Sequence, residues 1–183
     1  MRLDDRARKL EGERIELRRH ARENYALYAE WYGDPEIWYL TSWAPSPLGR
    51  SAVEKLFEDR ELSPTDDSFA IHIRGDDVPI GVISLVNKSE ANESADLSVI
   101  VGHQDDRHQG YGTEAIDLLL LYAFEELGLN RIGLSVFEFN EEAISAYEKL
   151  GFVVEGRLRR AIKRRTGFHD AILMSKLKRE SSS

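Results

Sequence analysis

Alternating apolar and polar positions predict one strand near the start of the chain and a group of three strands in its middle. Residues 14–18 place Ile15 and Leu17 between charged side chains, a period of two that is typical of a strand with one buried face. The same period returns at residues 69–73 and 95–101, and a further strand is predicted between them at 79–86, with polar turns at 74–77 and 87–94. Three successive strands joined by short polar turns favour an antiparallel meander.

Apolar residues three and four positions apart predict helices before and after the meander. The predicted helices are 22–32, a short turn opened by Asp34-Pro35, 50–62, 114–127 and 140–150. Gly128 is a suitable C-cap for the longest of them, and Asn140 is a suitable N-cap for the last. The change of period after residue 101 therefore marks the beginning of a region in which helices and strands alternate.

Three further strands complete a frame that indicates one domain. They are predicted at residues 131–137, 152–160 and 168–177, the last two as a hairpin. The expected fold class is α/β (α+β), a single domain with a central mixed, mostly antiparallel sheet flanked by helices in the order β-α-α-β-β-β-α-β-α-β-β. We predict that the domain spans 13–178, with a flexible segment at 1–12 and a disordered tail at 179–183.

The composition narrows the chemistry that this domain can perform. None of the 183 residues is a cysteine, which excludes disulfides, thiolate nucleophiles and thiolate metal sites. The histidines show no metal-ligand spacing, so we predict no metal. The sequence starts without an apolar stretch, and no apolar run is long enough to cross a bilayer. We therefore expect a cytoplasmic protein that does not associate with membranes.

Charge is distributed unevenly along the chain. The net charge is −8, yet the segment from Glu155 onward carries nine Lys and Arg residues against three acidic ones, so the rest of the chain carries −14. An acidic body argues against nucleic-acid binding and favours a cationic substrate. The basic end fits either a solvated hairpin face or a contact with an anion, and the sequence leaves both interpretations open.

A glycine-rich segment between a predicted strand and the longest helix carries the strongest chemical signal. It reads Arg107-His108-Gln109-Gly110-Tyr111-Gly112-Thr113. Glycines allow a tight turn and close approach of the backbone to a ligand, and the free N–H groups at a helix start attract anions such as a diphosphate. Arg107 adds a fixed positive charge to this segment. A plain turn is the alternative interpretation.

Two other phosphate-binding motifs fit this segment less well. A Walker loop ends in Gly-Lys-Ser or Gly-Lys-Thr, and no lysine stands here. Gly110-x-Gly112-x-x-Ala115 matches the dinucleotide fingerprint, but that fingerprint needs a strand that runs directly into the first glycine. Residues 103–109 intervene, so we reject the dinucleotide interpretation.

Two motifs, taken in sequence order, resemble those of the GCN5-related N-acetyltransferases. Arg107-x-x-Gly110-x-Gly112 has the form [Gln/Arg]-x-x-Gly-x-[Gly/Ala], and Asn140-x-x-Ala143-x-x-x-Tyr147 follows the next strand. Within the family, the sequence looks most like the branch of the ribosomal-protein-alanine and spermidine acetyltransferases. The resemblance covers nearly the whole chain and implies transfer of an acetyl group from acetyl-CoA to a primary amine of a protein N-terminus, a polyamine or another small amine.

The resemblance assigns acetyl-CoA, as co-substrate, to residues around the glycine-rich segment. The strand before the segment would pair with the pantetheine amides, and the loop amides would bind the diphosphate. Asn140 would contact the cofactor arm, although its side chain equally suits a helix N-cap, and Lys149 would approach the phosphates. The implied cofactor residues are Val99, Ile100, Val101, Arg107, His108, Gln109, Gly110, Tyr111, Gly112, Thr113, Asn140 and Lys149.

The resemblance also implies the catalytic groups. Tyr147 matches the tyrosine near the acetyl sulfur, where a positioned O–H donor protonates the leaving thiolate. The amine must lose a proton before it attacks, and Asp96, Glu138 and His103 are three open candidates for the base. Because the chain has no cysteine, we predict direct transfer without an acetyl-thiol enzyme intermediate.

Aromatic residues near the first predicted helices are the candidates for acceptor recognition. Trp31, Trp38, Tyr39 and Trp43 would either line an acceptor pocket or fill the core beneath the loop. Dimers are common among proteins of this kind, which leaves a homodimer open. A module of the same fold that binds CoA or a partner without catalysis is the alternative to an enzyme.

Overall fold

The computed structural model describes residues 9–178, which form one eight-stranded sheet and five α-helices. The strands are β1 (Lys9–Glu11), β2 (Ile15–Arg18), β3 (Asp67–Ile73), β4 (Pro79–Ser89), β5 (Ser94–Val101), β6 (Arg131–Phe137), β7 (Val153–Arg164) and β8 (Gly167–Leu177). The helices are α1 (Tyr25–Gly33), α2 (Pro35–Thr41), α3 (Arg50–Leu62), α4 (Tyr111–Leu121) and α5 (Glu141–Lys149). No helix of this part of the chain has both the length and the apolar composition needed to cross a membrane.

The strand order is β1-β2-β3-β4-β5-β6-β8-β7. All neighbouring strands are antiparallel except β5 and β6, which run parallel. A parallel pair needs a crossover connection, and α4 supplies it. The sheet is therefore mixed and mostly antiparallel, as the sequence pattern predicts.

Two hydrophobic clusters lie on opposite faces of the sheet because side chains alternate along each strand. Phe69 and Ile71 of β3 belong to the larger cluster, which contains the buried face of α4 and receives side chains of α5. Ala70, between them in sequence, belongs to the smaller cluster with α1, α2 and α3. The sheet thus separates a layer of α4 and α5 from a layer of α1, α2 and α3.

Residues 9–11 correct the expectation of a flexible segment before residue 13. They form β1, which pairs with β2 in antiparallel register. Leu10 is 7% exposed and packs in the larger cluster, a burial that one apolar residue between charged neighbours does not reveal. Residues 1–8 and the predicted tail at 179–183 lie outside the described residues.

Apart from the additional strand β1 and the separate helix α2, the predicted order of elements is confirmed, with shifts at several element ends. α4 begins at Tyr111, three residues earlier than predicted, and passes into a π-helix at Tyr122–Glu126. The polar loop predicted at 87–94 is shorter, because β4 continues to Ser89 and β5 already begins at Ser94. Exposed polar positions paired in a hairpin do not show the alternation from which the strands were predicted.

Candidate active site

An opening between β5 and β6 is the central feature of the sheet. The two strands pair only between residues 94–96 and 131–133 and then diverge. The Ile100 carbonyl faces β4, so the alternation of a strand's backbone turns the N–H and C=O groups of Val99 and Val101 toward the opening. Apart from the Val101 carbonyl, which accepts a hydrogen bond from Arg107, these backbone groups of β5 are therefore available to an extended ligand.

The glycine-rich loop places the start of α4 at the wide end of this opening. Gly110 is the N-cap of α4 with a φ of 81°, a left-handed conformation that glycine adopts without strain. Within residues 9–178, the backbone N–H groups of Tyr111, Gly112 and Thr113 have no hydrogen-bond acceptor, and no side chain caps the helix. Unpaired amides at the positive end of an eleven-residue helix favour an anion, and three in succession fit a diphosphate.

A cavity of about 250 Å³, here called the loop cavity, connects the start of α4 with the opening. Its walls are formed by β5, the glycine-rich loop, α2 and α5. Because Gly110 and Gly112 have no side chains, the loop backbone stays accessible from this cavity. The predicted cofactor residues that line it are Val99, Ile100, Val101, Arg107, His108, Gly110, Tyr111, Gly112, Thr113 and Asn140.

Arg107 ties the end of β5 to α2 instead of presenting a free charge. Its Nε donates to the Val101 carbonyl at 3.2 Å, and its Nη2 donates to the Gly102 carbonyl at 3.0 Å. Its Nη1 lies 3.1 Å from a carboxylate oxygen of Glu36. Since all three nitrogens have partners, we expect Arg107 to shape the loop and to add little net charge to it.

Two predicted cofactor residues, Gln109 and Lys149, lie outside the loop cavity. The Gln109 carbonyl accepts a hydrogen bond from the Nη1 of Arg14 at 2.9 Å. Lys149 is exposed and lines a third cavity of about 980 Å³ beside α4 and the end of α5. Gly110 and Thr113 line both cavities, so a contact with Lys149 requires a ligand that extends past the loop.

Asn140 fills one of the two roles that its sequence position suggested, the N-cap of α5. Its Oδ1 accepts the Ala143 N–H at 3.3 Å as the N-cap of α5, and its Nδ2 donates to the Leu40 carbonyl at 3.3 Å. The residue also lines the loop cavity. Both polar atoms of the side chain are thus already hydrogen-bonded, and a contact between Asn140 and the cofactor stays a prediction.

Tyr147, the single tyrosine of α5, lines the loop cavity. Its ring packs against Phe152, with 5.7 Å between the ring centres, and among the described residues its hydroxyl has no hydrogen-bond partner. Burial raises the pKa of Tyr147 to about 12. The phenol therefore keeps its proton at neutral pH and is available as a hydrogen-bond donor.

A second cavity of about 590 Å³, here called the aromatic cavity, continues from the same point. Tyr147, Asn140, Val99 and Ile100 line both cavities, which makes them two arms of one cleft through the sheet. The loop cavity opens toward the anion site, and the aromatic cavity opens toward the loop after α2. Tyr147 is therefore one of the residues that line both arms.

The three candidate bases occupy different environments. Asp96 is exposed and lines the aromatic cavity, where it accepts a hydrogen bond from Asn87 Nδ2 at 3.1 Å. Glu138 lines neither arm; it accepts the Asp170 N–H at 2.9 Å and pairs with Arg157 at 2.7 Å, contacts that lower its pKa. His103 is exposed and packs edge-on against Trp31 outside the cleft. Only Asp96 of the three lies in the cleft.

The predicted acceptor aromatics divide into two pairs. Trp38 and Trp43 line the aromatic cavity, and Trp43 is 49% exposed. Trp31 fills the core, the other role that the sequence left open: it is 2% exposed and packs with α1 and α3 in the smaller cluster, against Gly102. Tyr39 also lies outside the cavity, because its ring stacks on Phe139 with centres 4.7 Å apart.

Arg164 is a residue of the site that sequence reasoning missed. It is 5% exposed, and its guanidinium donates to the carbonyls of Tyr39 (3.1 Å), Trp38 (3.2 Å) and Ser42 (2.6 Å). Its hydrogen-bond partners are backbone carbonyls, and burial lowers its pKa. Arg164 therefore caps the end of α2 and fixes the loop that carries Trp43. The available sequence signal for its burial was its position two residues after Ile162, because residues two apart in a strand lie on the same face.

Fold and cleft together define an acyltransferase of one family. The family model for the acetyltransferase (GNAT) domain matches residues 14–153, and the chain belongs to this family. Its members are N-acetyltransferases, and the motif order that suggested the family is confirmed. In the described residues, no group of three or more His, Asp or Glu side chains is arranged to hold a metal ion.

Individual relatives agree with this assignment. The uncharacterized N-acetyltransferase p20 of Bacillus licheniformis is 28% identical over 171 residues, which cover 92% of this chain and 95% of that protein. The spermidine N(1)-acetyltransferase of Escherichia coli is 31% identical over 108 residues, 58% of this chain and 55% of that one. The crystal structure of spermidine N-acetyltransferase from Vibrio cholerae with CoA and spermine superposes with a TM-score of 0.84 at 22% identity, covering 94% and 100% of the two chains. At that identity, the likeness shows the shared fold.

Proposed function

We propose that this enzyme transfers the acetyl group of acetyl-CoA to a singly charged primary amine by direct attack. The observation that carries the proposal is that Tyr147, whose hydroxyl has no hydrogen-bond partner among the described residues, lines both cavities. The loop cavity offers unpaired amides to a diphosphate, and β5 offers backbone groups to a pantetheine arm. The aromatic cavity offers an approach to the same point from the other side.

Three groups of the chain would each perform one part of the acetyl transfer. A backbone N–H of β5 holds the carbonyl oxygen while the amine nitrogen forms the new C–N bond. Tyr147 gives its proton to the sulfur as the C–S bond breaks, so that CoA leaves as a thiol. Asp96 takes the proton that the amine loses, directly or through water, and solvent exchange restores both side chains.

The charges of the aromatic cavity favour one cationic centre in the acceptor. Its charged lining residues are Arg60, Arg131, Asp96 and Glu155, which balance in number. Glu155 is committed to Arg131 at 2.5 and 2.7 Å, which leaves Asp96 as the carboxylate that can face an ammonium group. Trp38 and Trp43 suit an apolar body attached to that amine. Two relatives named as acting on spermidine make a polyamine the second candidate.

Removal of the Tyr147 hydroxyl tests the proposed acid. Tyr147→Phe should lower kcat by about 10²–10⁴-fold, the usual effect of an acid–base group, while the Kd of acetyl-CoA stays near the wild-type value. Asp96→Asn should lower turnover in the same assay without changing that Kd. Thiol release and calorimetry measure the two quantities.

Tyr25→Phe is the matched control, because Tyr25 packs among α1 and α3 outside the cleft. Its turnover should equal that of the wild type. A Tyr147→Phe enzyme that retains full turnover would remove the acid from the mechanism.

A thiol-release screen tests the reaction and its acceptor together. Spermidine, aminoglycosides, amino acids and N-terminal peptides are compared at equal concentration, and we expect the largest kcat/KM for an amine with one positive charge. A clear preference for spermidine would replace the singly charged acceptor with a polyamine. Binding of acetyl-CoA without thiol release for any amine would instead favour a catalytically silent CoA-binding module.

A cytoplasmic location and a homodimer belong to the same proposal. A chain without cysteine suits a reducing compartment but does not require one. The edge strand β7 exposes Val153, Val154 and Leu158, a surface that a second copy could cover. Fractionation of cells and light scattering of the purified protein measure location and assembly.

A further inference from the structure

Arg14, in the turn between β1 and β2, reaches across to the glycine-rich loop. Its Nη1 donates to the Gln109 carbonyl at 2.9 Å, and its guanidinium lies 5.1 Å from the centre of the Tyr111 ring. Its Nη2 lies 3.1 Å from the position that a Cβ at Gly110 would take. The guanidinium therefore contacts three consecutive residues just where the unpaired amides of α4 begin.

Glu114, in the first turn of α4, holds Arg14 in that place. Its Oε1 accepts the backbone N–H groups of Arg14 at 2.7 Å and Ile15 at 3.3 Å, and its Oε2 accepts Arg14 Nε at 2.9 Å. Burial alone would raise the pKa of Glu114, but these hydrogen bonds hold it below its ordinary value. The turn approaches α4 so closely that a Cβ at Gly12 would lie 2.9 Å from Glu114 Oε1.

We propose that Arg14 and Glu114 are a positioning pair for the anion-binding loop, an inference that rests on the proposed binding of acetyl-CoA. Glu114 orients Arg14, and Arg14 holds the Gln109 carbonyl so that the amides of residues 111–113 face the loop cavity. A loop with glycines at 110 and 112 has many conformations available, and a contact from outside the loop reduces them. Both side chains line the third cavity and neither lines the loop cavity, so toward the loop cavity the pair acts through the loop backbone.

The charge of the pair suits this task. A carboxylate in the first turn of a helix would repel a bound diphosphate if it stood alone. The Arg14 guanidinium compensates that charge at hydrogen-bond distance. The pair therefore adds rigidity to the loop without making the anion site negative.

Substitution of Arg14 separates positioning from catalysis. Arg14→Ala should raise the Kd of acetyl-CoA about tenfold, the factor expected for the loss of one hydrogen bond from a charged group. At saturating acetyl-CoA, kcat should stay within about twofold of the wild type, because the reacting groups are unchanged. S-acetylpantetheine carries the thioester arm but no diphosphate, and its kcat/KM should be the same for both proteins.

Arg74→Ala is the matched control. Arg74 Nη1 donates to the Gly12 carbonyl of the same turn at 3.1 Å, and it is exposed and does not contact the loop. Its Kd for acetyl-CoA should match the wild type. The proposal is overturned if Arg14→Ala leaves the Kd of acetyl-CoA unchanged, or if Arg74→Ala raises that Kd as much as Arg14→Ala does. It is also overturned if Arg14→Ala lowers kcat/KM for S-acetylpantetheine by the same factor by which it weakens the binding of acetyl-CoA.

A double variant tests whether Glu114 acts through Arg14. The Kd of Arg14→Ala combined with Glu114→Gln should be no higher than that of Arg14→Ala alone, since both changes remove the same contact. An additive rise would show that the two residues act independently.

Arg14→Lys keeps the proposal testable should Arg14→Ala fail to fold. Lysine keeps the charge but cannot reach Glu114 and Gln109 at once, so the Kd should still rise. A wild-type Kd for this variant would overturn the pair. A wild-type protein that does not bind acetyl-CoA would overturn the proposed function itself, and the pair with it.

Discussion

At the scale of single residues, burial sets the proton state of two side chains in opposite senses. It raises the pKa of Tyr147 to about 12, which preserves a proton donor in the cleft. It lowers the pKa of His20 to about 3, with Arg60 and Arg19 adding to the effect. The neutral His20 ring bonds Tyr28 Oη at 3.0 Å and Ser68 Oγ at 2.8 Å. His20 is thus a structural hydrogen-bonding group, whereas Tyr147 is the free one.

The depressed pKa of His20 predicts a loss of stability on mild acidification. In the unfolded chain a histidine binds a proton below about pH 6.5. In the folded protein, His20 binds this proton only below about pH 3. Acidification from pH 6.5 toward pH 4.5 therefore favours the unfolded state. In His20→Gln, which cannot titrate, the melting temperature should fall less steeply over this range than in the wild type. Equal slopes for the two proteins, measured by thermal denaturation, would show that His20 is protonated in the folded state.

Individual residues of the site were predictable where they belong to a short sequence motif. Tyr147, Gly110 and Gly112 follow from local spacing, because the motif and the site coincide along the chain. Arg14 and Glu114 do not follow from local spacing, since they are 100 positions apart in the sequence and come into contact only in the folded protein. The three tryptophans among the acceptor candidates were equivalent in the sequence, and only the packing of α1 separates buried Trp31 from Trp43 in the cavity.

At the scale of elements, the site depends on the divergence of β5 and β6 and on the start of α4. The divergence leaves one side of β5 without a partner strand, and the missing cap leaves the amides of α4 without acceptors. Both features would be defects in a structure that binds nothing. In this enzyme they lie together at one cavity, which supports a role in ligand binding.

Gly112 tests the contact between these two elements. A Cβ at Gly112 would lie 3.2 Å from Val101 Cγ2, so Gly112→Ala should push Val101 into the loop cavity and raise the KM of acetyl-CoA by about tenfold. Stability should change little, because alanine favours the helix and offsets the tight contact. Steady-state kinetics and thermal denaturation measure the two effects.

Gly33→Ala provides the comparison at the end of α1, where a Cβ would lie at an ordinary 3.6 Å from the Leu48 carbonyl. This variant should keep the wild-type KM. If Gly112→Ala unfolds the protein while its KM is unchanged under stabilising conditions, the glycine serves only the turn.

Element types were predictable from periodicity, but their ends were not. The period of two located β2, β3 and β5, and the period of 3.6 located α3 and α4. β1 escaped detection because three residues are too few to show a period. The end of α2 also needs tertiary information, since its carbonyls are capped by Arg164 from β7, more than 120 positions away.

At the scale of the whole molecule, the sheet separates two layers of helices and has an opening between β5 and β6. The layer of α4 and α5 supplies the anion site and Tyr147, and the layer of α1, α2 and α3 supplies the aromatic cavity. The two reactants would therefore approach from different sides and meet at the opening. Family membership establishes acetyl transfer to amines, and this topology supports the proposed direct transfer.

A crystal structure of the enzyme with acetyl-CoA tests this account most directly. The account predicts that the diphosphate oxygens accept hydrogen bonds from the amides of Tyr111, Gly112 and Thr113, at about 2.7–3.2 Å. It also predicts that the thioester lies between β5 and β6 with its sulfur facing the hydroxyl of Tyr147. A complex in which those amides stay unengaged, or in which that hydroxyl points away from the sulfur, would contradict it.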